Sequence, residues 1–435
     1  MTVLEASAAS QRRFDAYIGR LAAAMGHADR LTPLHLYCTG LLVTEGRKSV
    51  EPITARVAPG NVRQQHQSLL HLVADSPWDD QEVLRAIRDY VLPQLLEKSR
   101  RLVGIVDDTG VVKKGKHSVG VGHQYCGQVG KNANCQVAVS LSAANEFGSI
   151  PIAHRLYLPE DWANDSERRK KCKVPDDVVF QTKLQIATSQ IEDALQAGVP
   201  LDIILADAAY GNDTAFRDRV SDLDLPYCVG VQPNTSVWAP GTEPLPPGPY
   251  KGTGRPPKRL RRDEDHRPVS VKDLALSLPK SAYTTVTWRE GTKGKLQSRF
   301  AAIRVVPAHR DNRKTTIRPP EWLLIEWPAD EKAPTKYTFS TLPPTVTLEE
   351  LVRTTKERWR VERDYQELKD EIGLGHYEGR GWRGFHHHAT LCIAAYAFLM
   401  RERLFSPSGQ TEAQSQIAVP EVPEGFRPRG APDAA

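Results

Sequence analysis

The chain has 435 residues, 40% hydrophobic and 26% charged, with a formal net charge of +5; these are the values of an ordinary globular protein with room for two or three domains and a buried core. No apolar run approaches the roughly 18 residues of a membrane helix, and the opening stretch lacks a positively charged start followed by an apolar segment, so no membrane association and a cytosolic location are expected. The six cysteines (Cys38, Cys126, Cys135, Cys172, Cys228, Cys392) show neither C-x-x-C pairs nor zinc-type histidine spacing, which argues against structural zinc and a disulfide framework.

From about Phe14 to Leu92, apolar residues recur at spacings of three and four, with turn signals at Pro33, "APGN" and "DSPWDD", predicting a helical region. Arg47, Lys48, Arg56 and Arg63 stand among these helices, either as a solvated face or as phosphate contacts of a small DNA-binding module. From Arg101 the pattern becomes that of strands: "RLVGIVDD", "SVGVGHQYC" and "NCQVAVSLSAA" predict neighbours in one sheet. A helix is predicted over 176–198, and then "LDIILADAAYG" supplies another apolar strand that ends in an acid, Asp207. Strands, a helix and a further buried strand predict a mixed α/β sheet. A Pro- and Gly-rich loop follows, and its run "KGTGRPPKRLRR" carries Lys251, Arg255, Lys258, Arg259, Arg261 and Arg262 without an acid, as a non-specific phosphate contact would. Residues 283–342 return to strand patterns. The chain is helical again through "LEELVRTTKERWRVERDYQELKDEIGL" and "HHATLCIAAYAFLMRERLF", and the tail from Ser406 reads as disordered.

Chemistry is suggested where the two apolar strands end in acids, at Asp107–Asp108 and at Asp207. Bare carboxylates about 4 Å apart repel by roughly 4 kcal/mol at an effective dielectric of about 20, so the pair asks for a cation. A third acid stands on the predicted helix "KERWRVERDYQELKDE", where Arg358, Glu362, Tyr365 and Lys369 fall on one α-helical face. Taken alone, that helix is an ordinary salt-bridged one. Taken with the two strand ends, its glutamate completes a set of three carboxylates able to hold two divalent cations for phosphoryl transfer. The consecutive histidines of "FHHH" point in three directions on a helix and do not make a metal site.

"DDTG", "LADAAYG" and "RWRVERDYQELK" together resemble the DDE transposases of bacterial insertion sequences, whose core is RNase H-like. In the group to which the IS4 elements belong, the pattern is Y-x2-R-x3-E-x6-K; Arg358, Glu362 and Lys369 keep that spacing, and Thr355 replaces the tyrosine. "GRKSVEPITARVAPG", "DDTGVVKKGKHSVGVGHQYCGQVGKNANCQVAVS", "LADAAYGND" and "GLGHYEGRGWRGFHHHATL" resemble the IS701 family, over about residues 15 to 404.

This resemblance implies an α/β fold: an RNase H-like mixed sheet core interrupted by a mostly β insertion, with an N-terminal helical domain. The expected boundaries are a helical DNA-binding domain over 1–92, the first part of the core over 93–232, the linker and insertion over 233–345, the Glu-helix part of the core over 346–404, and a tail over 405–435. It also implies Asp108, directly before Thr109, as the first catalytic acid, Asp207 as the second and Glu362 as the third, together holding two Mg²⁺ ions, with Mn²⁺ able to substitute. Arg358, Lys369, Lys113 and Lys114 are expected at DNA phosphate, as are Arg47, Lys48, Arg255, Lys258 and Arg259. Trp322 matches a tryptophan that stacks on a flipped base in some relatives, though a strand tryptophan is as readily a core residue. The implied function is that of a transposase that binds terminal inverted repeats of double-stranded DNA, as a homodimer at the nucleoid, and cuts and rejoins strands. The alternative is a catalytically silent, transposase-derived DNA-binding regulator, which has no need of the three acids.

Overall fold

The structure, a computed structural model, describes residues 3–250, 252–291, 294–309, 311 and 315–405; Lys251 and the predicted tail beyond Phe405 lie outside them. The chain packs as two compact units. Unit 1 draws on 1–102, 107–199 and 360–435, and unit 2 on 103–106 and 200–359.

Unit 1 opens with the expected helices: α1 (Val3–Ala24), α2 (Leu31–Val43), α3 (Val50–Val57), α4 (Val62–Ala74) and α5 (Asp80–Lys98). Asp79 caps α5 by accepting the Gln81 N–H at 2.8 Å, which satisfies one of the free donors of a helix start. A strand, β1 (Val103–Val112), follows and is divided between the units, residues 107–112 belonging to unit 1. Beside it stands β3 (Lys131–Asn145), which pairs antiparallel with both β2 (Gly122–Cys126) and β4 (Gly148–Leu156). Two short helices, α6 (Glu160–Ala163) and α7 (Ser166–Lys171), lead to α8 (Lys183–Gln196). The predicted helix over 176–198 thus begins only at Lys183. Thr182 and Gln185 form a reciprocal capping box there, and such a box marks a helix start.

Unit 2 holds residues 103–106 of β1 in parallel pairing with β5 (Ile203–Ala206), and β5 in parallel pairing with β6 (Tyr227–Val231). Between them lie α9 (Ala208–Gly211) and α10 (Thr214–Asp222). Two short strands, β7 (Ser236–Trp238) and β8 (Val269–Ser270), and helix α11 (Val271–Ser277) precede the four strands expected of the insertion. These are β9 (Thr284–Gly291), β10 (Gly294–Pro307), β11 (Glu321–Trp327) and β12 (Lys336–Ser340), joined antiparallel in sequence order. β12 then pairs antiparallel with β6, so the insertion extends the parallel strands instead of forming a separate sheet. The unit ends with α12 (Leu348–Lys356).

The predicted Glu helix is not continuous. α12 stops, Glu357 and Arg358 make a turn, α13 (Trp359–Glu367) follows, and Leu368–Ile372 widen into a π-helix closed by Gly373 at φ 86°. Arg358, Glu362 and Lys369 therefore do not share one regular helical face: Arg358 precedes α13 and Lys369 lies in the π-turn. Sequence periodicity does not reveal the break; just after it, the Trp359 ring meets the Arg289 guanidinium at 3.9 Å. The last helix, α14 (Trp382–Phe405), is buried almost continuously from Gly384 to Phe398 and serves as the core helix of unit 1. No helix among the described residues is long and apolar enough to cross a membrane.

Candidate active site

The sequence pattern predicts a strand that ends in acids, but β1 runs on to Val112: Asp107 and Asp108 stand half-buried in mid-strand, after the buried Val103–Val106. Successive strand residues face opposite sides of a sheet, and the two carboxylates separate accordingly. Asp108 Oδ2 lies 2.6 Å from Lys183 Nζ at the start of α8, with each side chain about one quarter exposed. The same ammonium is 5.7 Å from the centre of the Tyr157 ring. Asp107 Oδ1 accepts the Asp108 N–H at 2.8 Å, and the Asp107 carbonyl accepts from Ser140 Oγ at 3.3 Å. The Asp107 charge reaches Lys369: burial lowers that ammonium's pKa, and Asp107 is among the groups that oppose the shift. It also adds to the strong upward shift that burial imposes on the Tyr365 phenol. The two acids thus have different neighbours, Asp108 a lysine of α8 and Asp107 the Tyr365–Lys369 segment that follows Glu362. Glu362 itself is exposed, next to buried Val361.

In unit 2, Val106 is the register partner of Ala206, and Asp207 is the residue after Ala206. Asp207 is half-buried and caps α9, accepting the Ala209 N–H at 2.9 Å. α9 sits tightly on β6: a Cβ on Gly211 would lie 2.1 Å from the Gly230 carbonyl oxygen. Buried Arg217 donates to the Gly211 carbonyl, which fixes the far end of the same short helix.

Among the described residues, no three His, Cys, Asp or Glu side chains converge on a point that could hold a metal ion. The chemistry of the candidate donors nevertheless fits Mg²⁺, a hard cation that takes carboxylate oxygen, and the ammonium against Asp108 shows that this acid accepts a cation. The three histidines of α14 behave as the sequence predicts: His386 meets the Leu156 N–H and the Trp382 carbonyl, His387 the Val73 and Trp78 carbonyls, and His388 the Tyr37 hydroxyl and the Gly373 carbonyl.

The structure sorts the predicted DNA-contacting cations. Lys48 is a correction: it is 6% exposed, and its ammonium donates to the Leu41 carbonyl, so it is a core residue and not a phosphate ligand. Lys113 is also turned inward, donating to the Tyr377 carbonyl at 2.7 Å. Arg47 is exposed but paired with Glu378. Lys114, Arg255, Lys258 and Arg259 are exposed, and Arg358 is half-buried. Trp322 is not in the core: it is half-buried, its Nε1–H donates to the Pro343 carbonyl at 3.2 Å, and the Arg304 guanidinium lies 5.1 Å from its ring. Sequence reading missed Lys183. Its signal was the Thr-x-x-Gln capping box at 182–185, which places residue 183 at the exposed start of a helix.

Comparison with known proteins identifies the family. Residues 20–295 match the family described as DDE superfamily endonuclease. The chain is also 31% identical over 205 residues to a protein of Microchaete diplosiphon named "Probable transposase for insertion sequence element IS701", a match covering 47% of this chain and 49% of that protein. The chain thus spans about half the length of that relative. From the strand pairing within each unit and the family match, the chain is an α/β protein with an RNase H-like mixed sheet core, and it belongs to the DDE superfamily endonucleases.

Proposed function

We propose that this chain is a DNA transposase that binds the terminal inverted repeats of an insertion sequence, cleaves at them and transfers the freed strands to target DNA. The observation that carries the reading is the parallel register of Val106 with Ala206, from which both strands run into acids, in a chain of the DDE superfamily endonucleases. Asp207, Glu362 and the Asp107–Asp108 pair would hold two Mg²⁺ ions, or Mn²⁺ in their place. Such ions activate the attacking oxygen and stabilise the leaving oxygen of a phosphoryl displacement. The resemblance implies Asp108 as the first acid. The contact of Asp108 with Lys183 and the reach of Asp107 to Lys369 bring Asp107 into the same proposal. Lys369, Arg358 and the exposed Lys114, Arg255, Lys258 and Arg259 would bind phosphate, and Trp322 would offer a ring to a displaced base. Double-stranded DNA is the partner, a homodimer the acting form, and the nucleoid in the cytoplasm the place of action.

The test is strand cleavage, in Mg²⁺, of a supercoiled plasmid carrying the DNA that flanks this gene. Wild type nicks at defined ends, and Glu362→Gln loses at least about 100-fold, since even outer-shell partners of a metal cost 10- to 100-fold. Asp107→Asn and Asp108→Asn, run side by side, identify the first acid by which of them shows the same loss. Wild-type protein that binds these ends and never nicks them contradicts the proposal.

A further inference from the structure

The stretch that follows Asp107 and Asp108 has an unusual charge pattern. Residues 109–145 contain four lysines and two histidines and not one acid. Within unit 1 they fold as the end of β1, the loop at 113–121 and the β2–β3 hairpin. β2 stands at the end of the strand order. The loop is strapped to the hairpin: the Lys113 N–H donates to the Asn134 carbonyl at 2.9 Å, and the Asn134 side-chain amide donates to the Lys113 and Gly115 carbonyls at 2.7 and 2.9 Å. These three bonds tie the loop to the hairpin. One face of the hairpin packs inward through Cys126, Cys135 and Ala133. The other carries His123 and Tyr125, which pair across the strands with Asn134 and Asn132.

Tyr125 is 60% exposed and Val129, in the turn, 42%; Lys114, Lys116 and His117 are exposed as well. An exposed ring in a stretch that carries four lysines and no acid has the composition of a nucleic-acid platform. The cations hold phosphate, and the ring stacks on a base whatever its sequence. We infer that the β2–β3 hairpin and its strapped loop form a second DNA-contacting surface, with Lys114 and Lys116 on the backbone and Tyr125 stacked on an unpaired base. This rests on the DNA-acting reading above and adds a surface to it, since neither Tyr125 nor Lys116 belongs to the predicted site.

The test uses full-length protein and two probes: a fluorescein-labelled duplex, and the same duplex with an unpaired terminal 2-aminopurine. In Lys114→Ala/Lys116→Ala the log–log dependence of binding on salt becomes shallower by about 2, each lost phosphate contact contributing about 0.9. Wild type quenches the 2-aminopurine, Tyr125→Ala does not and binds that probe about 5-fold or more weakly, and Tyr125→Trp restores quenching. An unchanged salt slope in the double variant, which would also remove Lys114 from the proposed phosphate contacts, or quenching that persists in Tyr125→Ala, overturns the inference while leaving the reading of the three acids intact. Wild-type protein that binds neither probe overturns both. All three positions are exposed, so the variants keep the fold.

Discussion

Asp364, two residues after Glu362, shows how much burial alone decides. It is 3% exposed, and burial pushes its carboxyl up to about 7, against the Ser149 and Tyr396 hydroxyls, which donate to it at 2.5 and 2.9 Å and hold it lower than burial alone would. Its folded-state pKa is raised above the ordinary 3.8, so the stability it contributes is fully present below about pH 3.8 and is lost as pH rises through about 7. Asp364→Asn removes this dependence. In urea titrations from pH 5 to 8, the variant should hold its midpoint better than wild type as pH rises; parallel curves would contradict the assignment. The same principle separates Lys48 from Lys114. Both were plausible phosphate ligands by residue type, and only packing shows that one donates to a core carbonyl while the other faces water.

At the scale of elements, short-range signals served well where they are local. The apolar stretch of β5 and the run that forms α14 are written in consecutive residues, and each element appears where its pattern lies; the capping box at Thr182, equally local, went unread, so the helix predicted from 176 begins only at Lys183. The Glu helix is the exception: its interruption at Glu357–Arg358 and its π-turn at Leu368–Ile372 leave no mark in the local apolar period. π-turns recur at functional sites, and this one carries Lys369. The seat of α9 on β6 is tertiary. With a Gly211 Cβ only 2.1 Å from a backbone oxygen, Gly211→Ala must push α9, and Asp207 with it, off the strand. The expected cost is about 1 to 3 kcal/mol, read as a lower urea midpoint with unchanged slope; a variant as stable as wild type would show that α9 can shift freely.

At the scale of the whole molecule, a net charge of +5 over 435 residues says little, and its placement says more. The exposed cations Lys114, Lys116, Arg255, Lys258 and Arg259 would each release counterions on binding DNA, so affinity should fall steeply with salt. Transposition holds two DNA ends together, and the proposed acting form is a homodimer. Sedimentation of the protein with end-bearing duplex should find two chains per complex, and a fully active monomer would refute that form.

Sequence alone pointed to the class of the protein, the DDE superfamily endonucleases. Acids that follow two apolar stretches and a third acid on a later helix are combinations of residue type and order, which folding does not alter; that β1 continues past its acids to Val112 is not legible in them. It likewise located the four insertion strands and separated the three histidines of α14, because strand alternation and the helical turn are local geometry. Tertiary structure alone decided which side chains are available: it buried Lys48, turned Lys113 inward, brought Trp322 out of the core, broke the Glu helix and gave Asp107 and Asp108 different neighbours. The physical reason is that burial and ion pairing depend on residues far apart in the chain, such as Lys183 against Asp108, and no pattern within a single segment encodes them.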